Sequence, residues 1–413
     1  MAKLGSEQMD RYEKCTVNLC LIYIIYVFLY GIVIKITFSN TTLFQIKTYI
    51  PEAVLALIVM MGLLRNGIKL KGFSMPLLGY SAFVFLINLV IYGLSEQAFY
   101  WIRDLYIPLA AFCFLLMIKF SPDGMKQLSK KLGVFFKIYL ISGLVLALNQ
   151  QLQGWEWASS FYTGYTFYGQ DEISKVKIAH NMGLLRAPSL SGNFATFGYY
   201  CLIAVIFINA NTKGFWKKLF WDIIALLCMV LATNKSAIVA FAVVFVLRQT
   251  VDLRKRSRKL NNIILVLVVG FLGITTMMFL GDNSSEQNIL TSLFARFDVW
   301  EGILADTSVL ETLFPYKQFM YGSGAEGGVS FFDNTYLYSL FTQGIIGTVL
   351  WVYVLGKVYK SRMKRGSLMV RHYVYELTIA LLVLGLTVNV TQGRGFLSPY
   401  LVLLAVGFSI AGG

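Results

Sequence analysis

Apolar runs of about twenty residues, the length a helix needs to cross a bilayer, recur along the chain and are separated by polar connections. They fall near residues 16 to 38, 46 to 64, 74 to 94, 98 to 118, 132 to 151, 191 to 210, 219 to 233, 236 to 247, 260 to 281, 333 to 356, 373 to 391 and 395 to 411. The pattern predicts an all-α polytopic membrane protein with about twelve transmembrane helices in a single integral membrane domain, residues 1–413. The opening "MAKLGSEQMDRYEK" leads into a run too long for a signal-peptide core and without a small-residue cleavage site, so that run is expected to be the first permanent span.

Composition agrees with this class: 57% of the 413 residues are hydrophobic and only 14% charged. The charge adds direction. Most of the 36 lysines and arginines lie in alternate connections, in "RNGIKLK", "KFSPDGMKQLSKK", "NTKGFWKK", "RQTVDLRKRSRK", "KVYKSRMKRGSLMVRH" and the N-terminal stretch. By the positive-inside rule these connections and both termini are cytoplasmic. The net charge of +15 is then mostly a topology signal rather than a nucleic-acid footprint. Two long segments fall outside, 152–190 and 282–332.

The five cysteines lie within or beside expected spans, which argues against a disulfide framework or a metal-ligand spacing. His180 and His372 form no ligand pattern. The first external segment is rich in Trp, Tyr and Gly, suited both to interfacial anchoring and to stacking on sugar faces. In the second, Phe294, Phe297, Ile303 and Leu304 fit one face of a short interfacial helix, and glycines 322, 324, 327 and 328 follow. Asp333 comes next, immediately before a span.

Cations near span ends are the candidate chemistry. Arg186, Lys235, Arg296 and Arg394 all reach the expected outer boundary. Arg103 has Asp104 beside it, but adjacent residues on an α-helix point in different directions, which leaves a cavity-facing Arg103 as the alternative to a local pair. For each cation, snorkelling to lipid headgroups competes with binding an anionic substrate. Their concentration near external span ends favours a diphosphate, which arginine grips with paired hydrogen bonds.

"RAPSLSGNFATFGYY", "TNKSAIVAF", "ARFDVWEGIL" and "YGSGAEGGVSFFDNTYLYSLFTQGIIGTVLWVYV" together resemble the successive signatures of the O-antigen polymerase and ligase superfamily, over roughly residues 180 to 356. The resemblance implies a bacterial inner-membrane glycosyltransferase of Wzy type with a GT-C-like helical fold, acting on the outer face without a metal or other cofactor. It further implies an undecaprenyl-diphosphate-linked oligosaccharide as substrate, a lipid environment, and chain-length regulator and flippase proteins as partners, with no nucleic acid. Where related ligases carry histidine, this chain has Asp333, which leans toward a polymerase; where an arginine is common, it has Lys235.

Two roles compete for Asp333: proton acceptor for the attacking hydroxyl, and N-cap of the following helix. Asn334 is expected to cap that helix or to orient the acid. Asp298 and Glu301 are rival carboxylates beside Arg296. A ligase is the nearest alternative, and a lipid-linked oligosaccharide flippase or other transporter the alternative from another class. Against transport stand the lack of internal repeats and an expected absence of charged residues from the cytoplasmic halves of the spans, apart from Lys35 and Lys137.

Overall fold

In lipid, backbone N–H and C=O groups must find partners within their own segment, so apolar runs of this length become helices. The computed structural model describes residues 11–66, 72–116, 121–162, 180–181, 183–250, 301–302, 308–321, 334–365, 368–386, 400 and 402–404. Its longer helices are α1 (Arg11–Phe28), α2 (Tyr30–Thr37), α4 (Ile50–Asn66), α5 (Met75–Tyr92), α7 (Ile107–Leu115), α8 (Pro122–Phe161), α9 (Phe194–Asn211), α10 (Phe215–Leu231), α11 (Lys235–Thr250), α13 (Thr335–Arg365) and α14 (Leu368–Gly385). Short helices α3 (Thr41–Ile46), α6 (Glu96–Trp101) and α12 (Val309–Leu313) complete the set. One two-residue hairpin, β1 (His180–Asn181) against β2 (Leu184–Leu185), is the exception to an all-helical architecture among the described residues.

Five described helical stretches are long and apolar enough to cross a membrane, or six if α1 and α2 count as one broken span. This is short of the twelve expected. Residues 251–300 and most of 387–413 lie outside the described residues, and with them the expected span 260 to 281 and most of 395 to 411. Others are real helices but short: α10 has 17 residues and α11 has 16. The expected straight span 16 to 38 bends by 70° between α1 and α2. "KFSPDGMKQLSKK" is not all connection, since α8 starts at Pro122 with Ser121 Oγ accepting from Gly124 N.

Helices α9, α10, α11 and α14 pack together around a shared core, and α9 is buried along almost its whole length. Hydrogen bonds fix their directions. At one end Asn234 Nδ2 donates to Ala195 O at 2.7 Å. At the other, Asn209 Nδ2 bonds Asp222 Oδ1 at 2.6 Å, and Asp222 in turn accepts from Arg248 Nη1 at 3.0 Å. Helices α9 and α11 therefore run parallel, with α10 returning between them. Their close approach needs a glycine: a Cβ on Gly198 would sit 2.6 Å from Asn234 Cβ.

The second end is a buried charge clamp. Arg248 donates to both oxygens of Asp222 and both of Glu376, and all three side chains are 6% exposed or less. This corrects two expectations. Arg248 is not a solvated cytoplasmic charge, and charged groups do lie inside the helical bundle at its basic end. We call this the basic end because Lys126, Lys130 and Lys131 on the first turns of α8 and Lys213, Lys217 and Lys218 around the α9–α10 connection share it. The Ser129 hydroxyl bonds Asn211 Oδ1 there at 2.6 Å.

Candidate functional site

The opposite, loop end gathers the candidate residues. Residues 184–193 cross it as an extended stretch followed by a 3-10 turn at Ser189–Ser191, pinned by side chains from beneath. Gln151 bonds both the N–H and the C=O of Leu185, and Gln150 Nε2 donates to Arg186 O at 3.0 Å. Ala187 N donates to Leu231 O at 3.1 Å, tying the segment to the end of α10. Arg186 is thus held on a fixed backbone, with its guanidinium carbon 4.5 Å from the centre of the Phe194 ring. Burial lowers its pKa below the ordinary guanidinium value, though a guanidinium keeps its proton throughout the physiological range.

Lys235 opens α11 at the same rim, half-buried. It follows a tight corner in which Thr233 N donates to Val230 O at 2.8 Å and Asn234 N to Met229 O at 3.1 Å. Asn234 then caps α11, its Oδ1 accepting from Ala237 N at 3.0 Å.

Asn334 is the N-cap of α13: Oδ1 accepts from Tyr336 N at 2.9 Å and Leu337 N at 3.1 Å. Its Nδ2 reaches Leu386 O at the end of α14, and Tyr336 Oη donates to Leu382 O at 2.9 Å. About 20 Å of helix separates Lys235 from the clamp at Arg248, and about 15 Å separates Leu386 from Glu376, at 1.5 Å per residue. Because α11 and α14 are joined at that clamp and pack along each other, Lys235 and the Leu386–Asn334 contact emerge at the same end. The structure therefore brings Arg186, Lys235 and Asn334 to one end of the bundle.

Arg103 is different. Residues Ile102–Tyr106 form a π-helical turn, with Ile107 N donating to Ile102 O. In that turn Arg103 Nε and Nη2 meet Asp104 Oδ1 and Oδ2 at 2.6 and 2.9 Å. The local pair is therefore formed, with the long Arg103 side chain folding back onto its neighbour inside a π-turn. Trp101 stacks on Tyr338 of α13 at 6.0 Å, so this pair still borders the first turns of α13. Single π-turns inside helices are frequent at functional sites.

Residues 308–321 enter the bundle beside these elements. Asn88 Nδ2 donates to Pro315 O at 2.8 Å, Tyr80 Oη to Leu313 O at 3.1 Å, and Gln318 accepts from Tyr106 Oη at 2.9 Å while donating to Thr342 O at 2.8 Å. Gly344, at φ 66°, makes room: a Cβ there would lie 2.8 Å from the carbonyl oxygens of both Thr312 and Leu313. Within the segment Lys317 pairs with Glu311 at 2.9 Å, and that hydrogen bond raises the lysine pKa.

Asp333, Arg296, Arg394 and Asp298, with the apolar face Phe294, Phe297, Ile303 and Leu304, lie outside the described residues. Glu301 is described and exposed, in a helical fragment with Gly302.

Sequence reading missed several polar groups at the loop end. Gln150 Oε1 and Thr233 Oγ1 are buried without a hydrogen bond to the protein. Ser189, at φ 45°, and Thr233, at φ 50°, are the two non-glycine residues with positive φ among those described, and both lie at this rim. Such backbone costs on the order of 1–3 kcal/mol and concentrates at functional sites. Compared with models of known protein families and with curated proteins, the chain matches none.

Proposed function

We propose that the chain is a polysaccharide polymerase, moving a growing glycan from undecaprenyl diphosphate onto an incoming lipid-linked repeat unit at the outer face of a bacterial cytoplasmic membrane. One observation carries the reading: Arg186, Lys235 and the Asn334 cap, far apart in sequence, converge on one end of a helical bundle whose opposite end collects the lysines. By the positive-inside rule the loop end is then external, with about twelve spans in the whole chain.

In this reading the acceptor hydroxyl attacks the anomeric carbon and the bond to the diphosphate oxygen breaks with inversion. Negative charge grows on the departing diphosphate. Arg186 and Lys235 answer it as fixed cations, together with Arg296 and Arg394. Arg103 contributes less, because its guanidinium is already bonded to both oxygens of Asp104. The acceptor's proton goes to Asp333, which serves late, when the hydroxyl has become acidic. Asn334 Oδ1 accepts the first N–H groups of α13, which supports giving Asp333 the chemistry rather than the cap.

A ligase would use the same groups with a different acceptor. A transporter would have to open the basic end as well, parting Arg248 from Asp222 and Glu376. Incubation of the purified protein with a lipid-linked repeat unit tests the proposal. A ladder of longer glycans is expected; unchanged single units overturn it.

A further inference from the structure

The corner between α10 and α11 is built with the wrong residue for ease. Its paired bonds, Thr233 N to Val230 O and Asn234 N to Met229 O, form the turn that ends many helices on a left-handed residue, usually glycine and sometimes asparagine. Here that residue is Thr233, at φ 50°. Branching at Cβ makes this conformation a true outlier. Glycine would close the same turn without strain, so the threonine side chain is what the position retains at that expense of conformation.

The side chain is buried, and its hydroxyl makes no hydrogen bond to the protein. Its surroundings point to a ligand. Two residues before it, Leu231 O receives the N–H that follows Arg186; one residue after it, Asn234 caps the helix that Lys235 opens. Thr233 therefore lies in the chain between the residues that support both cations. Gln150 Oε1, on the residue that holds Arg186 O, is buried and likewise unbonded.

We infer that Thr233 Oγ1 donates a hydrogen bond to the anionic group of the substrate bound at the rim carrying Arg186 and Lys235. A hydroxyl supplies direction where a lysine supplies only charge, and a phosphate oxygen accepts it with no proton transferred. The inference rests on the reading of this rim as a diphosphate site.

The test compares full-length Thr233→Gly, Thr233→Ser, Arg186→Ala and Lys235→Ala with wild type, measuring thermal unfolding and the binding of undecaprenyl diphosphate. Thr233→Gly is expected to unfold no earlier than wild type, since its turn is relaxed, yet to bind about tenfold more weakly for want of one charge-assisted hydrogen bond. Thr233→Ser keeps the donor and is expected to bind within about twofold of wild type. Should Thr233→Gly unfold early, Thr233→Ser against Thr233→Ala decides: equal binding by the two overturns the inference. Wild-type binding by Thr233→Gly also overturns it and leaves the diphosphate site standing. Wild-type binding by both Arg186→Ala and Lys235→Ala, or no binding by wild type, overturns the diphosphate reading and the inference with it.

Discussion

Arg248 holds Glu376 through three N–H···O contacts of 2.8 to 3.1 Å, while Nη1 of the same guanidinium takes both oxygens of Asp222 at 3.0 Å. Three helices meet at that one side chain. Removing a partner from such a buried set strands the rest, at roughly 3–5 kcal/mol. Arg248→Met should lower the thermal midpoint of the detergent-solubilised protein steeply. The triple change Arg248→Met, Asp222→Asn, Glu376→Gln should be milder than the single one, because no charge is left unmatched. A triple variant worse than Arg248→Met would show that the clamp acts otherwise than through charge balance.

At the loop end, Arg186→Ala should weaken lipid diphosphate binding by about 2–5 kcal/mol, part of it from an unmatched phosphate charge. Arg186→Lys should rescue poorly, since an ammonium cannot reproduce the paired hydrogen bonds. Direct titration with the lipid diphosphate checks both.

Asn334 and Asp333 should separate cleanly. Asn334→Ala should cost about 1 kcal/mol of stability, and Asn334→Asp less than that, because Asp caps as well as Asn and gives up only the Nδ2 donor to Leu386 O. Asp333→Asn should leave the midpoint unchanged and slow polymerisation by about 10²- to 10⁴-fold. Asp333→His should retain more activity than Asp333→Asn, since imidazole accepts a proton near neutral pH. Normal glycan ladders from Asp333→Asn, at matched protein level, would end the catalytic assignment.

Gly344→Ala should unseat residues 308–321, for its Cβ would meet two carbonyl oxygens at 2.8 Å and its φ is 66°. Asn88→Ala should act in the same direction by orphaning Pro315 O, at about 1–3 kcal/mol. Unfolding midpoints report the size of both effects. A Gly344→Ala midpoint equal to wild type would mean the segment is not held there.

Orientation is checked by labelling intact cells with an impermeant thiol reagent. A cysteine at exposed Gln45, between α2 and α4, should react, and one at Ser257 should not. The reverse pattern would invert the topology.

Hydropathy made the helices legible, and their basic connections made one end of the bundle legible, because both signals are local in sequence. The Asn334 cap was legible for the same reason: a cap bonds within its own first turn. Arg248 was not, since its meaning depends on Asp222 and Glu376 arriving from two other helices. In the linear sequence it looked like one more topology charge. The Arg103–Asp104 pair was hidden because whether a long side chain folds back onto its neighbour is not written in the spacing of the residues. Thr233 was hidden because strain belongs to a dihedral angle, and "TNKS" reads as an ordinary polar corner.

The seat for residues 308–321 also sets an order of events during synthesis. Asn88 and Pro315 are 227 residues apart, and Tyr80 and Leu313 are 233 apart. When α5 leaves the ribosome its Asn88 amide and Tyr80 hydroxyl face a bilayer without the carbonyls they will bond. Only after α13 has followed, with Gly344 on it, are both walls of the seat present. The seat therefore closes late in synthesis, and a chain stopped before α13 carries an early helix whose polar groups still await their partners.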